Sequence, residues 1–463
     1  MQGAALSDAR FAPQREVVVV ALVVALAGVA AAFAALAGVQ WGGTDVLLYG
    51  GLTVLLGAIG LLSTDAGLAL LIIAIPFHDA LTLGPPVVPF TAAHVLLGAV
   101  IIGWLVRIVR AGRVALPKPT ALAIALSFPL LAALYSLPTS MAPAATAFES
   151  FRLLSLWLLA LVVVSQASTP ARARRLVGLL VAVACGMAAV AALQYQGVTI
   201  GSVATQGLSS GDLLVRPAAF FLDPNFLGGY LSVAALAALA LVVKSERWGN
   251  ALVWLAAAGI CMAGMAITAS RSAVVGFVVG VAVVVATAPR KRRTALVVGG
   301  LLVAVVAFPL LPGQVVERFT GLLAPQAEGS LTTRSLMAES SVEMLGDHWV
   351  LGTGLGAYEA AYPPYRRPGA LPRILHPHQL PLAMWVEMGL LGLFAEVGVV
   401  VGVVIAWRHA SRRGYPGVSP AALAAVVALL VQSLFQYYLF FEYLWFFLAL
   451  LAASSLHEEH AHA

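Results

Sequence analysis

From Asn225 to Val243 the chain reads NFLGGYLSVAALAALALVV, nineteen residues without a charged side chain, and Lys244 closes the run. A helix that folds against a soluble core is apolar along one stripe, whereas this one would be apolar on every face. At 1.5 Å per residue it would rise about 28 Å, close to the roughly 30 Å of hydrocarbon in a bilayer. Runs of the same kind lie upstream near 17–39, 45–63, 66–82, 91–109, 120–136, 150–166 and 175–195. Downstream they lie near 250–269, 272–288 and 294–311, and, after a long polar break, near 380–407, 421–436 and 438–455. The 463 residues are 61% hydrophobic and 10% charged, with mean hydropathy +0.97. Soluble domains hold about 45–50% apolar and about 25% charged residues, so the bilayer must be the solvent for most of this surface. Backbone groups find no water there, which leaves helices or a closed barrel. Long unbroken runs, rather than short alternating ones, exclude the barrel. The expectation is an all-α integral membrane protein with about 12–14 transmembrane helices. Pro76, Pro85, Pro86 and Pro89 break up the pair at 66–82 and 91–109, which makes the first of them a candidate re-entrant segment. The first run lacks a convincing signal-cleavage site and is expected to remain as a helix.

Charge orients these spans. With Arg10 and Arg15 in the cytoplasm, the loops containing Arg107, Arg110, Arg113 and Lys118, then Arg172, Arg174 and Arg175, then Lys244 and Arg247, then Arg290 to Arg293, then Arg408, Arg412 and Arg413 all fall on one side. That is the positive-inside pattern, and it puts both termini in the cytoplasm. The net charge of +6 is thereby a topological signal and not a nucleic-acid one. Cys185 and Cys261 both fall inside predicted helices, with no metal-ligand spacing and no disulfide framework. The expected organisation is N-terminal transmembrane helices over 1–312, an external cap loop over 313–379, and C-terminal transmembrane helices with a cytoplasmic tail over 380–463. A loop that long in a compact protein is functional or disordered. Trp349, Leu351, Tyr358, Tyr362 and Tyr365 within it argue for a folded cap.

On the outer side three segments carry charge: 197–224 with Asp212, Arg216 and Asp223, the junction Thr268-Ala269-Ser270-Arg271-Ser272, and the cap. Arginine holds phosphate oxygens in a bidentate fork and keeps its charge in any environment. Arg216, Arg271, Arg334 and the group Arg366, Arg367 and Arg373 are therefore either phosphate ligands or solvated loop charges. Arg271 has no topological reason to end a helix on the face poor in basic residues. His378, in Leu375-His376-Pro377-His378-Gln379-Leu380, is a candidate general base; the plainer reading is a histidine that satisfies backbone groups at a helix start. Two histidines without a nearby Asp, Glu or Cys cluster make a weak metal site, so no metal or cofactor is expected. The tail from His457 to His462 reads as polar and cytoplasmic. Glu149, Glu387, Glu396 and Glu442 lie in or beside spans, where carboxylates are costly. Glu149 and Arg152 are spaced to pair. Glu387 and Glu396, nine residues apart, would point to opposite faces of one continuous helix; Glu387, on the outer half, is the better candidate, and Glu442 could also face the site.

Four pieces together resemble the superfamily of O-antigen ligases and Wzy-type O-antigen polymerases, the bacterial envelope glycosyltransferases. They are Arg216-Pro217 with Phe221-Leu222-Asp223-Pro224-Asn225; Thr268-Ala269-Ser270-Arg271-Ser272-Ala273; Arg334 to Leu345 with Trp349, Gly352-Thr353-Gly354-Leu355-Gly356 and Tyr358; and His378-Gln379-Leu380 through Glu387-Met388-Gly389-Leu390-Leu391-Gly392. They cover roughly residues 210–400, and Gln379 stands where the family usually has Asn. The resemblance implies a GT-C-like, metal-independent, inverting transferase at the outer face of the cytoplasmic (inner) membrane. Its donor would be a polyprenyl-pyrophosphate-linked glycan, and its acceptor a hydroxyl on a lipid- or glycan-linked molecule. By the same resemblance Arg216, Arg271 and Arg334 would grip the pyrophosphate and His378 would activate the acceptor. Asn225, Ser270, His376, Gln379 and Glu387 would line the substrate site. The motifs do not separate ligase from polymerase. A lipid-linked sugar flippase or other transporter would instead show related halves and charges at mid-membrane.

Overall fold

The computed structural model describes residues 43–77, 82–83, 90–110, 120–207, 213–307, 309, 312–320 and 329–456. The expected first span at 17–39 and the histidine-rich tail lie outside them. The chain divides into two compact units, Met1–Ala115 and Leu116–Ala463.

In the first unit α1 (Gly43–Leu62), α2 (Thr64–Ala74) and α3 (Ala92–Arg110) pack on one another, and β1 (Thr82–Leu83) pairs with β2 (Phe90–Thr91). Ser63 caps α2 by accepting from Ala66 N at 3.2 Å. The eleven residues of α2 rise about 16 Å, half a hydrocarbon core. That length is too short for a full span.

The second unit starts with α4 (Ala121–Ala125) and α5 (Phe128–Ser136), where one span was expected. Pro129 lacks an N–H and its ring crowds the carbonyl four residues back, and the helix breaks between Ala125 and Phe128. Next come α6 (Pro143–Gln166), α7 (Pro170–Tyr195), the antiparallel hairpin β3 (Val203–Gly207) and β4 (Leu213–Pro217), α8 (Pro224–Lys244), α9 (Trp248–Ile267), α10 (Arg271–Thr287) and α11 (Arg290–Ala307). The segment 313–379 supplies α12 (Gly313–Thr320), α13 (Gly329–His348) and α14 (Tyr358–Ala361), and the unit ends with α15 (Leu380–Arg413), α16 (Val418–Ser433) and α17 (Glu442–Ser455). The protein is an all-α integral membrane protein. Among the described helices, six are long and apolar enough to cross a bilayer, and five shorter apolar ones accompany them.

The run from Asn225 to Val243 is the centre of this unit. Helix α8 packs against α7, α9, α10 and α16, and Tyr230, Leu231, Ser232 and Leu236 are fully buried. Its polar groups are satisfied inside: Tyr230 donates to Leu180 O at 3.0 Å, and Gln432 Nε2 donates to Ser232 Oγ at 3.0 Å. Helix α9 by contrast keeps Leu252, Val253 and Leu255 exposed, as a lipid-facing helix does.

Two breaks in the late helices shape the site. Helix α17 starts at Glu442, not at 438 as expected, so 434–441 is a loop between helices of 16 and 14 residues, about 24 and 21 Å long. Tyr438 and Phe441 in this loop are buried, as irregular backbone inset between short spans must be. Helix α15 is interrupted at Gly389, whose φ of 63° is open to glycine at little cost. The nine-residue separation of Glu387 and Glu396 therefore does not run along one continuous helix, and the helical count no longer sets their relative facing. The cap has its own core, where Met337, Met344, Leu345, Tyr358, Tyr362 and Ile374 pack together with Val386. Trp349 and Leu351 stay exposed.

Candidate active site

The hairpin β3–β4 is absent from the expected all-helical pattern, although Leu-Leu-Val-Arg-Pro is good strand material ending in a residue that cannot extend a ladder. It sets Arg216 opposite Ala204. Arg216 is only 7% exposed. Its Nε donates to Thr268 O at 3.0 Å, one Nη to Asn225 Oδ1 at 3.0 Å, and the other to Gln206 Oε1 at 3.5 Å.

Asp223 caps α8, accepting from Asn225 N at 2.7 Å, with Pro224 at the first helical position. That fixes Asn225 as a hub. Besides Arg216, its Oδ1 accepts from Ser270 Oγ at 3.0 Å, and its carbonyl accepts from Tyr438 OH at 3.1 Å. The segment 268–270 is a tight, buried turn. Ala269 has φ +50°, a conformation unfavourable to any residue with a Cβ. Ser270 precedes α10 but spends its hydroxyl on Asn225 and Ser272 instead of the helix end. Arg271 thus opens α10. A cation at a helix N-terminus opposes the macrodipole, and a bound anion would relieve both.

The cap brings the remaining residues to this turn. Arg334 on α13 is half-buried, and burial and the positive charge of Arg271 both pull its pKa down, against Asp223 and Tyr438. His378 is in turn coupled to Arg334. Burial and that guanidinium lower its pKa, while Asp223 and the amide of Gln436 favour its protonated form less strongly. The pKa of His376 is lowered to about 4 by burial and by His378. Its ring stacks on Tyr437, centroids 4.5 Å apart and planes 17° apart, and meets His378 edge-on at 5.3 Å. Both imidazoles are therefore neutral at neutral pH. Nδ1 of His378 is buried with no hydrogen-bond partner among the described residues. Gln379 precedes α15, and its carbonyl accepts the first helical bond from Ala383 N at 2.9 Å.

Other candidates are placed differently. Glu387 is 1% exposed and built into the wall, where its carboxyl oxygens accept from Gly356 N at 3.0 Å and from Tyr437 OH at 3.1 Å. The turn it braces needs its glycines: Gly354 has φ +102°, and a Cβ there would overlap Ser140. Glu149 and Arg152 pair at 2.8 Å, with the guanidinium 4.4 Å above the Phe440 ring. Arg367 and Arg373 are engaged on the cap surface with Glu343 at 3.3 Å and Glu359 at 2.9 Å. The site thus draws in Arg216, Asn225, Ser270, Arg271, Arg334 and His378 and leaves those two surface arginines out.

Three contributors escape sequence reasoning. Tyr437 falls between two expected spans and Tyr438 opens the second of them, and nothing in their apolar surroundings sets either apart. Arg318, 5% exposed on α12, donates from Nε to Ala269 O at 2.8 Å, and nothing in Val-Val-Glu-Arg-Phe sets it apart from a solvated loop charge.

The brace on Glu387 is testable. Tyr437→Phe keeps the ring stacked on His376 but leaves a buried carboxyl oxygen of Glu387 without its donor, a loss of about 1–3 kcal/mol. The unfolding midpoint in detergent should fall by several degrees, and an unchanged midpoint would show that the bond contributes nothing.

Residues 251–397 match the family model of the O-antigen ligases, inside the stretch that carries the resemblance. The match includes Ser270, Arg271, Arg334, His376, His378, Gln379 and Glu387; Arg216 and Asn225 lie upstream of it. No curated protein matches the chain.

Proposed function

We propose that this protein is an inverting, metal-independent glycosyltransferase of the O-antigen ligase type. It would move a glycan from a polyprenyl-pyrophosphate donor to an acceptor hydroxyl at the outer face of the cytoplasmic membrane. The observation that carries this reading is the buried network in which Arg216, Asn225 and Ser270 hold the turn that opens α10 with Arg271, with Arg334 in electrostatic range of Arg271 and of a neutral His378. The chemistry needs a base within reach of a hydroxyl, and fixed positive charge where the leaving group gathers negative charge. In this reading the acceptor oxygen attacks the anomeric carbon while His378 takes its proton. The bond from that carbon to the pyrophosphate oxygen breaks, and polyprenyl pyrophosphate leaves against Arg271 and Arg334. Attack opposite the leaving group inverts the anomeric centre. Arg216, Asn225 and Ser270 hold the turn that presents Arg271, while His376 and Gln379 flank the base. The basic loops on the opposite side support an outward-facing site and cytoplasmic termini.

A reconstituted transfer assay tests this. Purified protein is incubated with polyprenyl-pyrophosphate glycan, with and without candidate acceptors, and the products are resolved by mass. A single transfer to a different acceptor supports the ligase. A ladder of longer lipid-linked chains would make it a polymerase, and no transfer with any donor would favour a flippase or other transporter.

A further inference from the structure

Two buried arginines hold two consecutive carbonyls of the same turn. Arg216, from β4, donates through Nε to Thr268 O at 3.0 Å, and Arg318, from α12, donates through Nε to Ala269 O at 2.8 Å. The second carbonyl belongs to the one residue of the turn with φ at +50°, immediately before Ser270 and Arg271. Helix α12 is also docked by packing, because Val315 forms a fully buried cluster with Ala269 and Leu214 of β4. Helix α12 thus meets residue 269 twice, through the Val315 cluster and through the Arg318 bond. A non-glycine residue stays in the left-handed region only where its surroundings over-determine it. Here the surroundings are Arg216 on one side and Arg318 with Val315 on the other.

We infer that Arg318 is a positioning residue for the pyrophosphate site: with Arg216 it locks the strained 268–270 turn so that Arg271 points at the donor. This deepens the glycosyltransferase reading and rests on it for the identity of the anion. The clamp needs the directed Nε–H and the reach of a guanidinium, not simply a positive charge. Lysine cannot supply both, since its ammonium is a point charge on a flexible stem. Freed of the bond, residue 269 relaxes toward negative φ and carries the base of Arg271 with it. Glycine takes positive φ without strain, so Ala269→Gly in the Arg318→Lys background makes the clamped geometry cheap again.

The test compares wild type, Arg318→Lys and Arg318→Lys/Ala269→Gly, each checked for an intact unfolding midpoint. Two quantities are read: protection against thermal unfolding by inorganic pyrophosphate, and transfer from the polyprenyl-pyrophosphate donor. Arg318→Lys is expected to weaken pyrophosphate protection and lower kcat/KM by about fivefold to thirtyfold, the cost of one lost left-handed conformation. The double variant is expected to recover most of that loss, which a merely destabilised protein would not do. If wild type transfers and Arg318→Lys equals it in both readouts, the inference is overturned and the glycosyltransferase reading stands. Loss of function without recovery in the double variant also overturns it. If wild type shows arginine-dependent, suppressible pyrophosphate protection but no transfer, the inference stands and the glycosyltransferase reading falls. If wild type neither binds pyrophosphate nor transfers, both fall.

Discussion

Replacing His378 with alanine should lower glycan transfer by about a hundredfold to ten-thousandfold, the range a positioned general base contributes, while leaving donor binding close to wild type. The separation follows from the two halves of the site. The arginines belong to β4, to the α10 N-terminus and to α13, whereas His378 stands on the segment before α15. Its imidazole is neutral at neutral pH because burial and Arg334 oppose protonation, so removing it deletes a base and not a cation. With its pKa below the ordinary value of about 6.5, the acid limb of the wild-type pH–rate profile should lie below pH 6.5, since protonation below that point disables the base. His378→Gln serves as a companion that keeps a hydrogen-bonding side chain without basicity in this range. Transfer kinetics on all three proteins, with pyrophosphate protection as the binding control, decide the matter. Transfer by either variant within a few-fold of wild type would remove His378 as the base.

How much of this was legible in the residues depends on what kind of signal each feature sends. Uniform apolarity over 225–243 announces a buried or spanning helix whatever surrounds it, and α8 appears within a residue of those bounds. Arg271 was legible as a helix start, because a charge between two apolar runs marks the break between them. The hairpin carrying Arg216 was not, since short strands between spans have no period long enough to outweigh the neighbouring helices. Glu387 shows the other failure. A carboxylate in an apolar run does announce a role, but the sequence could not say whether substrate or a backbone turn holds it; its partners, Gly356 and Tyr437, lie 31 and 50 positions away. Arg318 was invisible for the same reason, because its meaning lies in a carbonyl 49 positions upstream. Spans are local properties of the chain, while the site is made of long-range bonds among turns, and only the resemblance gave those turns an order.

Replacing Arg334 with glutamine should do two things that no purely structural loss would do together. Arg334 is coupled to Arg271 on one side and to His378 on the other. As a donor ligand, its loss removes one charge-assisted contact to the leaving pyrophosphate, and kcat/KM should fall by about a hundredfold, as it does when a single preorganised donor to a developing oxyanion is lost. As the cation that disfavours protonated His378, its loss should raise the pKa of that histidine, because Asp223 and Gln436 remain to favour the charged form. The sign is fixed. A base with a higher pKa is lost to protonation at a higher pH, so the acid limb of the residual activity should move up in pH relative to wild type. Arg334→Lys separates the two effects: the ammonium keeps the repulsion and should leave the acid limb near its wild-type position, yet it loses the bidentate fork and should still bind donor poorly. A drop in rate with an unmoved acid limb in Arg334→Gln would mean that Arg334 grips the donor without setting the base. An acid limb that moves to lower pH would contradict the electrostatic order of the site altogether.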